Sequence, residues 1–313
     1  MLNRDGDCER HSPLLPILGN KVWTRTVGVT SLMRMTPYLS EGAAEAAVGC
    51  PATSTEGSAV PAPGLATTAA AWQESWDRQQ EGFMPDREER FAAMLDAVEA
   101  VVDTDSPRLL DLAGGTGTIT LRALARFPRA RVTLVDLDPA LLALARASLG
   151  DRAVVLTADL TRPDWSDRLP HRDYDAVLTA TALHWLPPER LTALYRELRD
   201  LLRPGGLCVN ADHMPDDALP TLTDRLTARA RERRAARHAA GAALSWSDWW
   251  ARAGADPVLG PLVRRRHEIY PTGHSPEWNP PVSWHLGALT AAGFTEAGTL
   301  WRGGADAAVA ALR

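Results

Sequence analysis

The chain has 313 residues, 45% of them apolar, enough for one large α/β domain with additions or for two modest domains. Its formal net charge of −5 gives no overall pull toward nucleic acid or an anionic membrane surface. Cys8, Cys50 and Cys208 are far apart and form no CxxC pair, which argues against a disulfide framework or a cysteine zinc site, and no apolar run reaches the roughly 18 residues of a membrane span, so a cytoplasmic protein is expected.

Residues 1–68 differ in composition from the rest. "EGAAEAAVGCPATSTEGSAVPAPGLATT" is rich in Ala, Gly, Ser, Thr and Pro without a sustained period, and this part is expected to be a disordered extension. Two helical patterns follow, separated near Pro85. Trp72 and Trp76 share a face of the first; Phe91, Met94, Leu95, Val98 and Val102 share a face of the second. A strict alternation then begins. Strands are expected at 108–113, 131–138, 153–160 and 207–213, and the stretch 174–183 begins as one. Helices are expected over "TGTITLRALARFP", "PALLALARASLG" and "PERLTALYRELRDLLRPGG". Strands alternating with helices mean parallel βαβ units and an open, doubly wound α/β sheet.

After His213 the rhythm breaks. A long basic helix starts near Leu222, in which Arg225, Arg229, Arg233 and Arg237 recur every four residues and read as a solvated face. "SWSDWWARAG" is a short helix with a serine cap, and "PTGHSPEWNPP" a proline-rich loop. The α/β pattern resumes with the helix "SWHLGALTAAGF", and a strand hairpin pairs "TEAGTLWRGG" with "DAAVAALR". The organisation expected is an extension over 1–68, a core over 69–213 and 283–313, and a helical lid over 214–282 inserted after the fifth strand.

The stretch "LLDLAGGTG" (109–117) ends the first strand in an acid and turns through glycines into a helix. In a doubly wound sheet that turn lies where ligands bind, outside the carboxyl ends of the strands. A dinucleotide site needs G-x-G-x-x-G/A; with Gly115 and Gly117 aligned, Thr120 stands at the third position. Asp111 would also bring a carboxylate close to a pyrophosphate docked on the helix N-terminus. S-adenosylmethionine carries an ammonium and a sulfonium and no phosphate, and an acid there suits it. Asp136, ending the second strand, can accept both ribose hydroxyls. Asp159, at the end of the third, can accept from the adenine amino group, and Leu137 and Leu160 are placed to sandwich the purine.

"LLDLAGGTG", "VTLVDLDP", "LTADL", "YDAVLTATALHWL" and "LLRPGG", in this order and spacing, resemble the class I S-adenosylmethionine-dependent methyltransferases. The resemblance covers residues 70–212 and 283–313, and "ALHWL" looks like the small-molecule branch that includes trans-aconitate methyltransferase. It implies a Rossmann-like seven-stranded sheet with the last strand antiparallel, and S-adenosylmethionine as cofactor. It implies cofactor contacts at Asp111, Ala113, Gly115, Gly117, Asp136, Leu137, Asp159 and Leu160, with Thr179 added to the set. Ala113 stands at the first glycine of the family's turn, where alanine is tolerable if φ is negative and the cofactor meets its backbone rather than its side-chain face.

Such chemistry requires a nucleophile held in line with the methyl–sulfur bond; a base helps when that nucleophile is neutral. His184, after the fourth strand, is the expected base or substrate contact, its alternative being a helix-start histidine satisfied by backbone. Trp185, His213, Trp246 and Trp250 are expected to bind substrate, although a small helical lid also needs tryptophans for its own core. Asp212, His213, Asp216 and Asp217 do not form a ligand set in family positions, so no metal is expected. The expected activity is methyl transfer to an O, N or C nucleophile of a small molecule, with specialised metabolism as one setting. Two alternatives stay open: a protein of this fold that binds the cofactor but runs another reaction, such as cyclisation, and an RNA methyltransferase, supported by the basic helix alone.

Overall fold

The computed structural model describes residues 68–271 and 277–313. The extension expected over 1–68 lies outside the described residues except for Thr68, and so does the middle of the proline-rich loop. Helices α1 (Ala69–Gln80) and α2 (Arg87–Val101) lead into the alternating region. There β1 (Arg108–Leu112), α3 (Thr118–Arg126), β2 (Arg131–Asp136), α4 (Pro139–Leu149), β3 (Ala153–Thr157), β4 (Tyr174–Ala180), α5 (Pro188–Leu201) and β5 (Leu202–His213) follow in turn. The insertion carries α6 (Pro220–Ala239), α7 (Trp246–Ala255) and α8 (Leu259–Ile269), and the chain closes with α9 (Val282–Ala291), β6 (Glu296–Gly303) and β7 (Asp306–Leu312).

The seven strands lie in the order β3-β2-β1-β4-β5-β7-β6. β1 to β5 pair in parallel, while β7 runs antiparallel to both neighbours. Helical crossovers force the parallel pairs; the two-residue connection between β6 and β7 permits only a hairpin. Strand order reverses between β1 and β4, so their carboxyl ends open the crevice in which a ligand fits.

Alternation along the strands builds a core on each face. Leu109, Val132, Leu134, Leu178 and Val209 meet Phe91, Met94 and Val98 of α2. Leu110, Leu112, Val135, Val177 and Cys208 meet Leu194 and Leu198 of α5 and Leu289 of α9. Cys208 is buried as expected, which pushes its thiol up to about 12.

Three local expectations change. The helix closed by Pro-Gly-Gly ends earlier, at Leu201, because Leu202 already pairs with Tyr174. Gly206 then lies so close to the Arg203 and Tyr174 carbonyls that a Cβ would come within 2.9 and 3.0 Å of their oxygens. β3 stops at Thr157, where its ladder with β2 runs out at Asp136, so Asp159 and Leu160 lie in the loop beyond the strand rather than at its end. α8 was not foreseen, because its inward face is Leu259, Gly260, Val263 and Arg266, too few apolar residues to show a period.

α7 and α8 pack on α1 and α4 through Trp72, Trp76, Leu141, Leu144, Trp249, Trp250, Leu259 and Val263. Ser245 caps α7, accepting from the Asp248 N–H at 3.1 Å. α6 buries only Thr223, and Arg225, Arg229 and Arg233 face solvent with Arg237 half-buried.

Candidate active site

The turn after β1 is built around the Asp111 carboxylate. Its Oδ2 accepts from Thr120 N at 3.0 Å and from Thr120 Oγ1 at 2.6 Å, fastening the start of α3 to the strand end. Gly114 passes directly over it: a Cβ there would lie 2.7 Å from Asp111 Cγ. Within the 113–117 turn, the task of Gly114 is to clear the carboxylate. Gly117 has φ +83, and a Cβ would press on Leu149 and Leu134 at 3.0 and 3.3 Å. Burial pushes the Asp111 carboxyl up to about 6, against the two bonds from Thr120.

Asp136 closes the other side of the turn. Its Oδ2 accepts from Gly115 N and its Oδ1 from Asp138 N, both at 2.8 Å. Each oxygen keeps a second lone-pair direction. Burial, with the charge of Asp138 close by, pushes this carboxyl up to about 6 as well. Leu137 is half-buried beside it. Asp159 uses Oδ1 for a local turn with Thr161, at 2.9 Å to the backbone N–H and 2.6 Å to the hydroxyl; its Oδ2 takes no part in that turn. Leu160 packs against the α5-side core.

Among the described residues, Ala113 (φ +52) and Thr181 (φ +50) are the two non-glycine residues with positive φ. The negative φ that would make an alanine easily tolerated at 113 is therefore not what the backbone adopts. Ala113 follows β1 and Thr181 follows β4, so both strained residues flank the crevice where strand order reverses. Such strain gathers at functional sites.

Beyond β4, His184 and Asp212 form a buried pair. His184 Nδ1 lies 2.7 Å from Asp212 Oδ1, and the His184 backbone N–H reaches Oδ2 at 3.3 Å. Burial alone would raise the Asp212 carboxyl; the charge and hydrogen bond of His184, with His213 nearby, outweigh it and hold it below the usual range. An ionised Asp212 accepts the hydrogen bond from Nδ1–H and leaves Nε2 as the basic nitrogen. The Trp185 ring lies 4.7 Å from the His184 ring and His213 5.8 Å from it. His213 Nδ1 lies 2.7 Å from Asp306, which also binds Arg90. Burial alone would lower the His213 imidazole, but Asp306 and Asp212 raise it.

Thr179 is fully buried on the α5 face, in register with Asn210. Thr179 Oγ1, Asn210 Oδ1 and Asp111 Oδ1 are buried without a protein partner. The structure thus brings Asp111, Ala113, Gly115, Gly117 and Asp136 together, and His184, Trp185 and His213 together. Trp246 and Trp250 go elsewhere. They join Trp76 and Trp249 in the aromatic cluster between α1 and α7. Asp212 was seen in the sequence only as a neighbour of His213; its pairing with His184 needs the fold.

Residues 109–206 match a family model described as a methyltransferase domain. The matched stretch runs from β1 into β5 and includes the acids at the ends of β1 and β2. By this match and the seven-stranded topology, the core of this chain is similar to class I S-adenosylmethionine-dependent methyltransferase domains. It is 36% identical over 171 residues to a trans-aconitate 2-methyltransferase of Methylobacterium radiotolerans, covering 54% of this chain and 56% of that protein. It is 34% identical over 125 residues to the ubiquinone/menaquinone biosynthesis C-methyltransferase UbiE of Methylobacterium nodulans, covering 39% of this chain and 49% of that protein. The chain thus spans about half the length of these curated relatives. The solved structure of PigF with SAH is 16% identical, with a TM-score of 0.48 over 80% of this chain and 69% of that one.

The cofactor of the methyltransferase domain is S-adenosylmethionine, and the turn fits it. Asp111 Oδ1 is a buried acceptor with no protein donor, beside a glycine that leaves room for nothing larger. Two raised carboxyls close together favour a cationic ligand with hydroxyls over an anionic one.

Proposed function

We propose that this protein is an S-adenosylmethionine-dependent methyltransferase acting on a small molecule, with His184 as general base. In this reading Asp111 faces the cationic end of the cofactor, Asp136 takes the ribose hydroxyls and Asp159 the adenine amino group. When bound, the cofactor supplies a methyl group on a sulfonium, already an activated electrophile. The acceptor lies near the carboxyl ends of β4 and β5, where Trp185 and His213 flank the base.

The observation that carries this reading is the His184–Asp212 pair. An ionised, buried carboxylate on Nδ1 orients the imidazole and stabilises it once it takes a proton at Nε2. A base matters only when the acceptor arrives protonated. A carboxylate such as that of trans-aconitate is already nucleophilic, so the pair favours a neutral hydroxyl, amine or acidic C–H. Of the two curated relatives, the C-methyltransferase of quinone biosynthesis supplies the nearer chemistry.

The test is formation of S-adenosylhomocysteine with a panel of phenols, quinols, amines and carboxylic acids. Turnover is expected with a protonated acceptor. His184→Ala should then lower kcat by about 10²–10⁴-fold, with cofactor affinity unchanged. Unchanged turnover in that variant removes His184 from the mechanism.

A further inference from the structure

Arg266 of α8 ties the inserted helices to the loop after β2. Its Nε lies 2.6 Å from Asp138 Oδ2, and the two side chains are only 8% and 6% exposed. Asp138 caps α4 with its other oxygen, accepting from Ala140 N at 2.9 Å and Leu141 N at 3.2 Å, and its own N–H donates to Asp136. One guanidinium therefore grips the loop that bears the ribose acid. The same guanidinium lies 4.1 Å from the Trp250 ring centroid and 5.4 Å from that of Tyr270.

A buried ion pair adds little net stability, because desolvation offsets its attraction. Leu259 and Val263 already anchor α8 in the apolar cluster with α4. What the Arg266–Asp138 pair adds is position: it holds the last turn of α8 against the β2 loop. Tyr270 ends that turn. Burial raises its hydroxyl, and the charges of Asp136, Asp138 and Asp159 raise it further, against Arg266. The phenol therefore stays neutral, its ring 5.4 Å from the guanidinium that grips Asp138 of the β2 loop. A neutral aromatic donor there matches a ligand with an aromatic base and hydroxyls.

Resting on the cofactor site proposed above, we propose that Tyr270 is a cofactor-binding residue that closes the nucleoside half of the site from the inserted helices, with the Arg266–Asp138 pair as the latch that must open before the nucleoside leaves. Cofactor exchange is then gated by movement of α8.

The experiment is binding and release of S-adenosylhomocysteine by the full chain. Affinity is measured by calorimetry and dissociation by rapid-mixing displacement, followed by tryptophan fluorescence. Tyr270→Ala should raise Kd for S-adenosylhomocysteine, and for adenosine, by roughly tenfold, the scale of one lost base–aromatic contact. Arg266→Met should speed dissociation by a similar factor. Because that variant leaves the Asp138 carboxylate buried alone, Asp138→Asn/Arg266→Met serves as its partner, and should also release faster while melting cooperatively. Wild-type Kd and dissociation rate in Tyr270→Ala and in the double variant overturn the lid while leaving the cofactor site standing. A wild-type protein that binds no S-adenosylhomocysteine overturns the cofactor site and the lid together.

Discussion

Ala113 has the left-handed backbone of a glycine and the side chain of an alanine. The turn reverses immediately after β1 to carry Gly114 over Asp111, and φ +52 at residue 113 is part of that reversal. A Cβ in this region costs about 1–2 kcal/mol, while glycine adds unfolded-state entropy that returns part of it. Ala113→Gly is therefore expected to stabilise the protein by roughly 0.5–1 kcal/mol. Urea unfolding checks this, and an unchanged or lowered midpoint contradicts the strain. The charge and place of Asp111 were legible in the sequence because they follow from a strand ending in an acid. The sign of φ at Ala113 was not, because it is set by what must pass over the carboxylate.

At the scale of elements, α9 is pinned to the sheet by a buried polar chain. Asn210 Nδ2 of β5 donates to Tyr195 Oη of α5 at 3.1 Å, and that hydroxyl lies 2.8 Å from His285 Nδ1 of α9. Burial lowers His285 to about 4, so the imidazole is neutral near pH 7 and its Nδ1 accepts from the tyrosine. Tyr195→Phe leaves Asn210 and His285 without this partner and should cost about 1–3 kcal/mol in denaturant unfolding. A loss below a few tenths of that range would mean that the chain contributes nothing to docking α9. The elements themselves were largely readable, since alternation of short apolar runs with amphipathic helices is a local signal. α8 was not, because a buried arginine occupies its inward face, and its partner Asp138 lies in the distant β2 loop.

At the scale of the whole molecule, the sequence displayed the sheet and the acids near its strand ends but not the pairings across it. His184 meets Asp212, His213 meets Asp306 and Arg266 meets Asp138 across 28, 93 and 128 residues. No local period encodes such separations. The tryptophans of the insertion illustrate the same limit: Trp246 and Trp250 could be counted in the sequence, but only packing assigns them to the cluster under α7. The central claim is that the crevice at the ends of β1 and β2 holds S-adenosylmethionine through ionised Asp111 and Asp136. Both carboxyls stand at about 6 in the free protein and must lose their protons to hold an ammonium and two hydroxyls. Affinity should therefore be full well above pH 6 and fall as pH drops through it. The direct measurement is calorimetric titration of the wild type and Asp136→Ala with S-adenosylhomocysteine at pH 8 and pH 5. The account predicts binding at pH 8, about tenfold or more weaker at pH 5, and none in Asp136→Ala. No binding by the wild type at pH 8, or equal binding by Asp136→Ala, would contradict it.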